Sequence, residues 1–261
     1  MNLLAIWQKE TRNYFGSPLA YLVAGLFWLI AGFYLVGMLS GEVGLIQQVS
    51  NGDRGNSIAE QIDVAYIFVN SFFAVLGSLC LFFLPLLSMG LYSKEKQANQ
   101  LIFVATSPIA NWIIALGKLL GVVTFFLFLI TPFVLYEIII FSATKPPIKA
   151  MISLLAYGGL ILLATAILAW GMFIATLSDR NLVTAILTFG VVIFFWILDI
   201  FARNIGGNFG NILQHLSLLR SYSTLIQGVF KLSDLVLLLS YILLGVFLTT
   251  QSIEILHSAR K

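Results

Sequence analysis

Charge is scarce in this 261-residue chain: 10% of its residues are Asp, Glu, Lys or Arg, whereas 60% are hydrophobic. No soluble domain of that length hides so much apolar surface, so water is excluded as the main solvent and the bilayer takes its place. Cysteine occurs once, as Cys80. A disulfide within the chain is therefore ruled out, and the thiol reads as a small packed apolar group. Only two histidines are present. His215 has no second His, Cys or acidic residue at metal-ligand spacing, which leaves it an ordinary loop histidine. Missing too are a Gly-x-Ser-x-Gly elbow, a His-Glu-x-x-His zinc motif and paired intramembrane aspartates. No Gly-x-x-x-x-Gly-Lys-Ser/Thr loop is there to cradle nucleotide phosphates. These absences point to a non-catalytic chain that binds no metal or cofactor itself and has no nucleic-acid partner. Acid–base chemistry inside a membrane would need ionisable groups converging within the apolar runs. Glu137 and Asp199 sit only at run margins and are expected in water or headgroups.

What is present is a set of long runs with uncharged cores, 18–39, 64–92, 119–136, 151–177, 182–198 and 235–253. A helix needs roughly 20 apolar residues to cross a hydrocarbon core, and six segments qualify: 18–39, 64–92, 113–142, 151–177, 182–202 and 235–255. None alternates with period two, so they read as helices rather than barrel strands. Pro85 and Pro132 fall inside the second and third, where neighbouring helices accommodate a kink. The pairs Ala20/Ala24 and Gly171/Ala175 have the four-residue spacing that permits close helix approach. The first run is too long for a signal-peptide core and no small-residue cleavage site follows it. With the amino terminus inside, the inner flanks carry eight basic residues and the outer flanks six. That bias places both termini in the cytoplasm.

The connecting segments carry the remaining information. Residues 1–17 place Leu3, Leu4, Trp7, Tyr14 and Phe15 on one helical face, with Lys9, Arg12 and Asn13 opposite and Glu10 at the edge of the apolar side. This is the pattern of an interfacial helix, the alternative being a solvated leader. The outer segment 203–234 opens with glycines and holds two short apolar pieces. It forms either a re-entrant hairpin or helices lying on the outer surface.

Residues 93–110 are the most polar run of the first half. Ala98, Leu101, Ile102 and Ala105 fall on one helical face. Lys94, Glu95, Lys96, Gln97 and Asn99 keep the other side polar, and Ser107-Pro108 stops the helix. A short helix tied to two spans is suited to take a push from a partner. The ordered series Glu95-Lys96, Leu101, Thr106-Ser107-Pro108-Ile109 and Leu116-Gly117-Lys118 resembles the permease subunit of type-2 ABC transporters, in particular the gliding-motility type. Asn99-Gln100 stands where that family has Gly-Thr, and Ile102 where it has Glu. Leu216, Ser217, Tyr222, Gly228 and Asp234 look like the family's outer series, with Gln227 replacing a basic residue.

The resemblance implies an all-α integral membrane protein of a bacterial cytoplasmic membrane, acting as half of an exporter. It would pair with a second copy or a homologous permease and dock two cytoplasmic ATPase subunits that carry ATP and Mg²⁺. Residues 94–108 would be the coupling helix, with contacts from Lys94 to Pro108 that include Thr106. Ser178, Asp179 and Arg180 in the turn between spans four and five would add a second contact. Membrane lipid surrounds such a bundle, and an outer accessory protein has room to join it. Two readings compete. A secondary transporter would want intramembrane charge or broken helices in matching halves, and a structural membrane subunit would leave residues 94–108 indifferent to charge.

Overall fold

A backbone in lipid must satisfy its own hydrogen bonds, and long apolar runs without alternation do so as helices. The computed structural model describes residues 3–40, 64–92, 110–143, 150–204 and 214–258. Its helices, in chain order, are α1 (Leu3–Phe15), α2 (Pro18–Ser40), α3 (Val64–Ser88), α4 (Asn111–Ala143), α5 (Ala150–Leu177), α6 (Asn181–Asn204), α7 (Leu218–Ile226) and α8 (Leu232–Ser258). No strand occurs among the described residues. Six helices (α2 to α6 and α8) are long and apolar enough to cross a bilayer, the number expected from the apolar runs. The chain is thus built as a multi-pass membrane protein. Both α3 and α4 continue through their internal prolines.

At the centre lies α5, which packs against α3, α4, α6, α7 and α8. In its most apolar window 67% of the residues are buried, against 28% in α2, 28% in α6 and 22% in α8. Those three peripheral helices therefore keep most of their apolar surface for lipid or a partner. Small residues explain why α5 is the hub. Ala156, Ala164, Ala169 and Ala175 are fully buried, and Gly171 takes the Ser88 side chain of α3 directly against its backbone. At Gly245 of α8 an added methyl would lie 2.8 Å from the carbonyl carbon of Ala169. Small-residue contact of this kind substitutes for the hydrophobic driving force that lipid removes.

Away from that seam, phenylalanines fill the space between α2, α3 and α4. Phe27 meets Phe83 at 5.8 Å and Phe133 at 6.1 Å, and Phe72 meets Phe133 at 5.6 Å, all edge to face. Each such pair contributes about 0.5–1.5 kcal/mol beyond area burial. Cys80 belongs to the same core and is buried and unoxidised.

Replacing Gly245 with Ala is expected to lower the apparent melting temperature of the detergent-solubilised protein, costing about 1–3 kcal/mol, because backbone blocks the new methyl. Gly190 has nothing within 4 Å of its added methyl, so Gly190→Ala should leave the melting curve unchanged. Equal behaviour of the two variants would contradict the α5–α8 contact.

Candidate functional site

The expected coupling helix spans residues 93–110, of which 93–109, and so Lys94 through Pro108, lie outside the described residues. Its anchorage does not. Three helices meet where that segment leaves and re-enters the bundle. Gly117 and Gly121 of α4 receive Ile6 and Glu10 of α1, whose side chains would lie 2.7 and 2.6 Å from methyls added there. One turn further on, Tyr14 stacks on Phe125 at 5.8 Å and Phe15 meets Phe128 at 5.1 Å. Equal steps along both helices mean that α1 runs beside the first turns of α4 in the same direction.

Glu10 is at the middle of this contact, which corrects its placement at the edge of the apolar face. Its carboxylate accepts from Lys118 Nζ at 3.0 Å, with the two side chains only 6% and 3% exposed. The same ammonium donates to the Leu91 carbonyl at 2.8 Å and lies 4.8 Å from the Tyr92 ring centre. Leu91 and Tyr92 are the last described residues before segment 93–109. Lys118 therefore joins α1, α4 and the chain leaving α3 in one charge-assisted node. Around it, Tyr14 Oη donates to the Leu87 carbonyl at 2.9 Å and Trp7 Nε1 donates to Thr124 Oγ1 at 2.8 Å. Burial, with the Glu10 charge adding to it, pushes the Tyr14 phenol well above its ordinary range, so it stays a donor.

The turn holding Ser178, Asp179 and Arg180 stands beside this node. Ser178 Oγ accepts from the Arg180 amide at 3.3 Å, and Thr184 donates to the Arg180 carbonyl, closing the start of α6. Asp179 and Arg180 are exposed. Asn181 lines the same cleft, of ≈ 100 Å³, as Glu10, Leu91 and Lys118.

Of the expected outer residues, three build and cap α7, Asp234 meets it from α8, and Leu216 is half exposed at its approach. Ser217 caps α7 by accepting from the Arg220 amide at 3.2 Å, and its own proton goes to Asp199 of α6. At the other end Gly228, at φ 75°, sends its amide to Leu225, while Val229 bonds back to Thr224. That is a Schellman closure, and the left-handed residue in it favours glycine. Tyr222 inserts between α3 and α5. It donates to the Phe73 carbonyl and covers Gly77, where an added methyl would be 2.4 Å from the ring. Burial raises its phenol well above the ordinary tyrosine value. Asp234, in the first turn of α8, accepts from Ser221 at 3.3 Å. His215 is exposed, and among the described residues no three His, Cys, Asp or Glu converge as metal ligands.

No protein-family model matches this chain, and no curated protein is significantly similar to it.

Two carboxylates correct the expectation from sequence. Asp199 and Glu137 were placed in water or headgroups, yet they are 4% and 5% exposed. Asp199 is enclosed because α7 covers it with Ser217, a contact between residues 18 apart that no helical periodicity encodes. Glu137 is enclosed because α5 closes over it, bringing Ser153 and Tyr157 to face it. The Glu10–Lys118 pair also escaped the sequence reading. Its signal was two lone charges, each interrupting an otherwise apolar face.

Lys118→Met would leave Glu10 buried without a counter-charge and is expected to cost about 3–5 kcal/mol. The double variant Glu10→Gln with Lys118→Met should recover most of that loss. Thermal unfolding of the four proteins in a double-mutant cycle measures it, and strict additivity would dissolve the node.

Proposed function

We propose that this chain is the membrane-spanning, non-catalytic permease subunit of an ATP-driven type-2 ABC exporter in a bacterial cytoplasmic membrane, with both termini cytoplasmic. A second permease copy or homologue completes the transporter, and two cytoplasmic ATPase subunits supply ATP and Mg²⁺. The observation that carries this reading is the Lys118 node. The chain that leads into the proposed docking helix passes Leu91, whose carbonyl the Lys118 ammonium of α4 holds together with Glu10 of α1. Displacement by the ATPases then moves those helices as one body, the rigid transmission that alternating access requires. The Ser178–Arg180 turn, next to the same cleft, suits the smaller second contact. On this reading α1 is the interfacial helix, holding its apolar side against α4 while Lys9 and Arg12 face outward.

Support for a re-entrant outer hairpin comes from depth. Tyr222 meets Phe73 and Gly77, about 14–20 Å along α3 from Val64. An element that merely lay on the outer surface would touch the helix ends instead.

A secondary transporter is the second reading, and one observation favours it: Glu137 and Asp199 are the enclosed carboxyl groups that the sequence reading did not find. Recovery of an ATPase subunit separates the two.

The test is capture of the ATPase from native membranes. Combined Lys94→Glu, Glu95→Lys and Lys96→Glu substitution, or Leu101→Pro alone, should leave the protein inserted while weakening ATPase capture by about tenfold or more, the loss of ~1.4 kcal/mol or more of contact energy. Undiminished capture and ATP turnover in both variants would rule out the coupling role.

A further inference from the structure

Glu137 lies within α4, about 9 Å from its carboxy-terminal end. From the first two turns of α5, the hydroxyls of Ser153 and Tyr157 face its carboxylate. Four oxygens are thus brought together (both carboxylate oxygens, Ser153 Oγ and Tyr157 Oη). All are sealed from solvent, and among the described residues none has a hydrogen-bond partner outside this cluster. The Phe73 ring closes one side, edge-on to Tyr157 at 4.6 Å. Tyr157 is the titratable group that faces Glu137, and no charged group of the packed helices bears on it.

Native interiors pair their buried polar atoms, and an unpartnered group in such a place calls for an occupant. The cost is largest for an ionised carboxylate, which persists in a low-dielectric interior only with a compensating charge. The donor set is all hard oxygen, the chemistry that suits alkali and alkaline-earth ions rather than soft metals. It carries a single negative charge, so one positive charge neutralises it, whereas a divalent ion would leave a net charge buried. We propose that Glu137, Ser153 and Tyr157 form a binding site for one small monovalent cation, an alkali ion or a proton, held between α4 and α5. The carboxylate supplies the charge. The two hydroxyls accept an alkali ion alongside it, or exchange hydrogen bonds with the protonated acid. Occupancy ties the outer part of α4 to α5, so binding is linked to how far these helices separate. The site does not rest on the permease reading and would serve a bundle driven in any way.

The full-length protein in detergent is melted in sodium chloride and in choline chloride of equal ionic strength, from about pH 5 to pH 9, a range that covers buried carboxylates. An alkali-ion site raises the apparent melting temperature in sodium by roughly 3–5 °C at about ten times its dissociation constant. Glu137→Gln abolishes that shift, and Ser153→Ala moves its midpoint to higher sodium. A proton site gives no sodium effect but a melting temperature that follows pH, flattened in Glu137→Gln. Should Glu137→Gln fail to fold, the double variant Ser153→Ala with Tyr157→Phe keeps the carboxylate and must still displace the sodium or pH midpoint. Indifference of the native protein to both sodium and pH overturns the site, as it would if a lysine of the adjoining segment (Lys145 or Lys149) supplied the charge. A response retained unchanged in Glu137→Gln overturns it equally.

Discussion

Lipid tails are as apolar as leucine, so helices in a bilayer gain little from touching one another through large side chains; they associate where their backbones come close. Each defining contact in this bundle obeys that constraint. Gly117 and Gly121 admit α1, Gly171 admits Ser88, Gly159 admits Leu225, and Gly245 meets Ala169. The polar contacts depend on these approaches. Lys118 reaches Glu10 because Gly121 lets the Glu10 Cβ sit against the α4 backbone. Tyr222 reaches the Phe73 carbonyl because Gly77 leaves room for its ring. Hydrogen bonding here follows packing, and a methyl group in the wrong place would remove both.

Buried polar groups are satisfied unevenly through the bundle. Around α1, Trp7, Tyr14 and Lys118 have all found acceptors, while Thr11 Oγ1 and Asn181 Oδ1 are buried without a partner. Between α4 and α5 the oxygens of Glu137, Ser153 and Tyr157 have no partner outside their own cluster among the described residues, and Asp234 at the start of α8 keeps one carboxylate oxygen unbonded. Unmet polar demand leaves that part of the protein readier to change with what it binds.

How much of this the sequence disclosed follows from which interactions are local. The apolar runs are self-contained, so the number of crossing helices and their all-helical character could be read directly. Ser217, Tyr222 and Gly228 stood out only through a family resemblance, although the caps that Ser217 and Gly228 form at α7 involve neighbours only a few residues away. Glu10 was illegible for the opposite reason. A helical wheel ranks a carboxylate as polar wherever it falls, and its partner is supplied by a helix distant in the chain. Asp199 and Glu137 were misplaced because a residue at the margin of an apolar run is judged by its distance from water, while α7 and α5 cover them from the side. The SKEKQANQLIFVATSPIANW stretch, read as a docking helix, lies outside the described residues as far as position 109, while Leu91, Tyr92 and Lys118 on either side of it are described.

The separation of Glu10 from Lys118, 108 residues along the chain, has a consequence for how the protein is made. At a synthesis rate of about 5–20 residues per second, the amino-terminal helix waits roughly 5–20 s before its partner leaves the ribosome. Two spans have entered the membrane by then, and neither offers Glu10 a counter-charge through the contacts seen in the finished fold. The helix must be kept near the membrane surface without being committed to it, a task for which one carboxylate in an otherwise apolar face is well suited. Arrival of the third span then draws that carboxylate inward. The pair therefore closes only after the third crossing is in place.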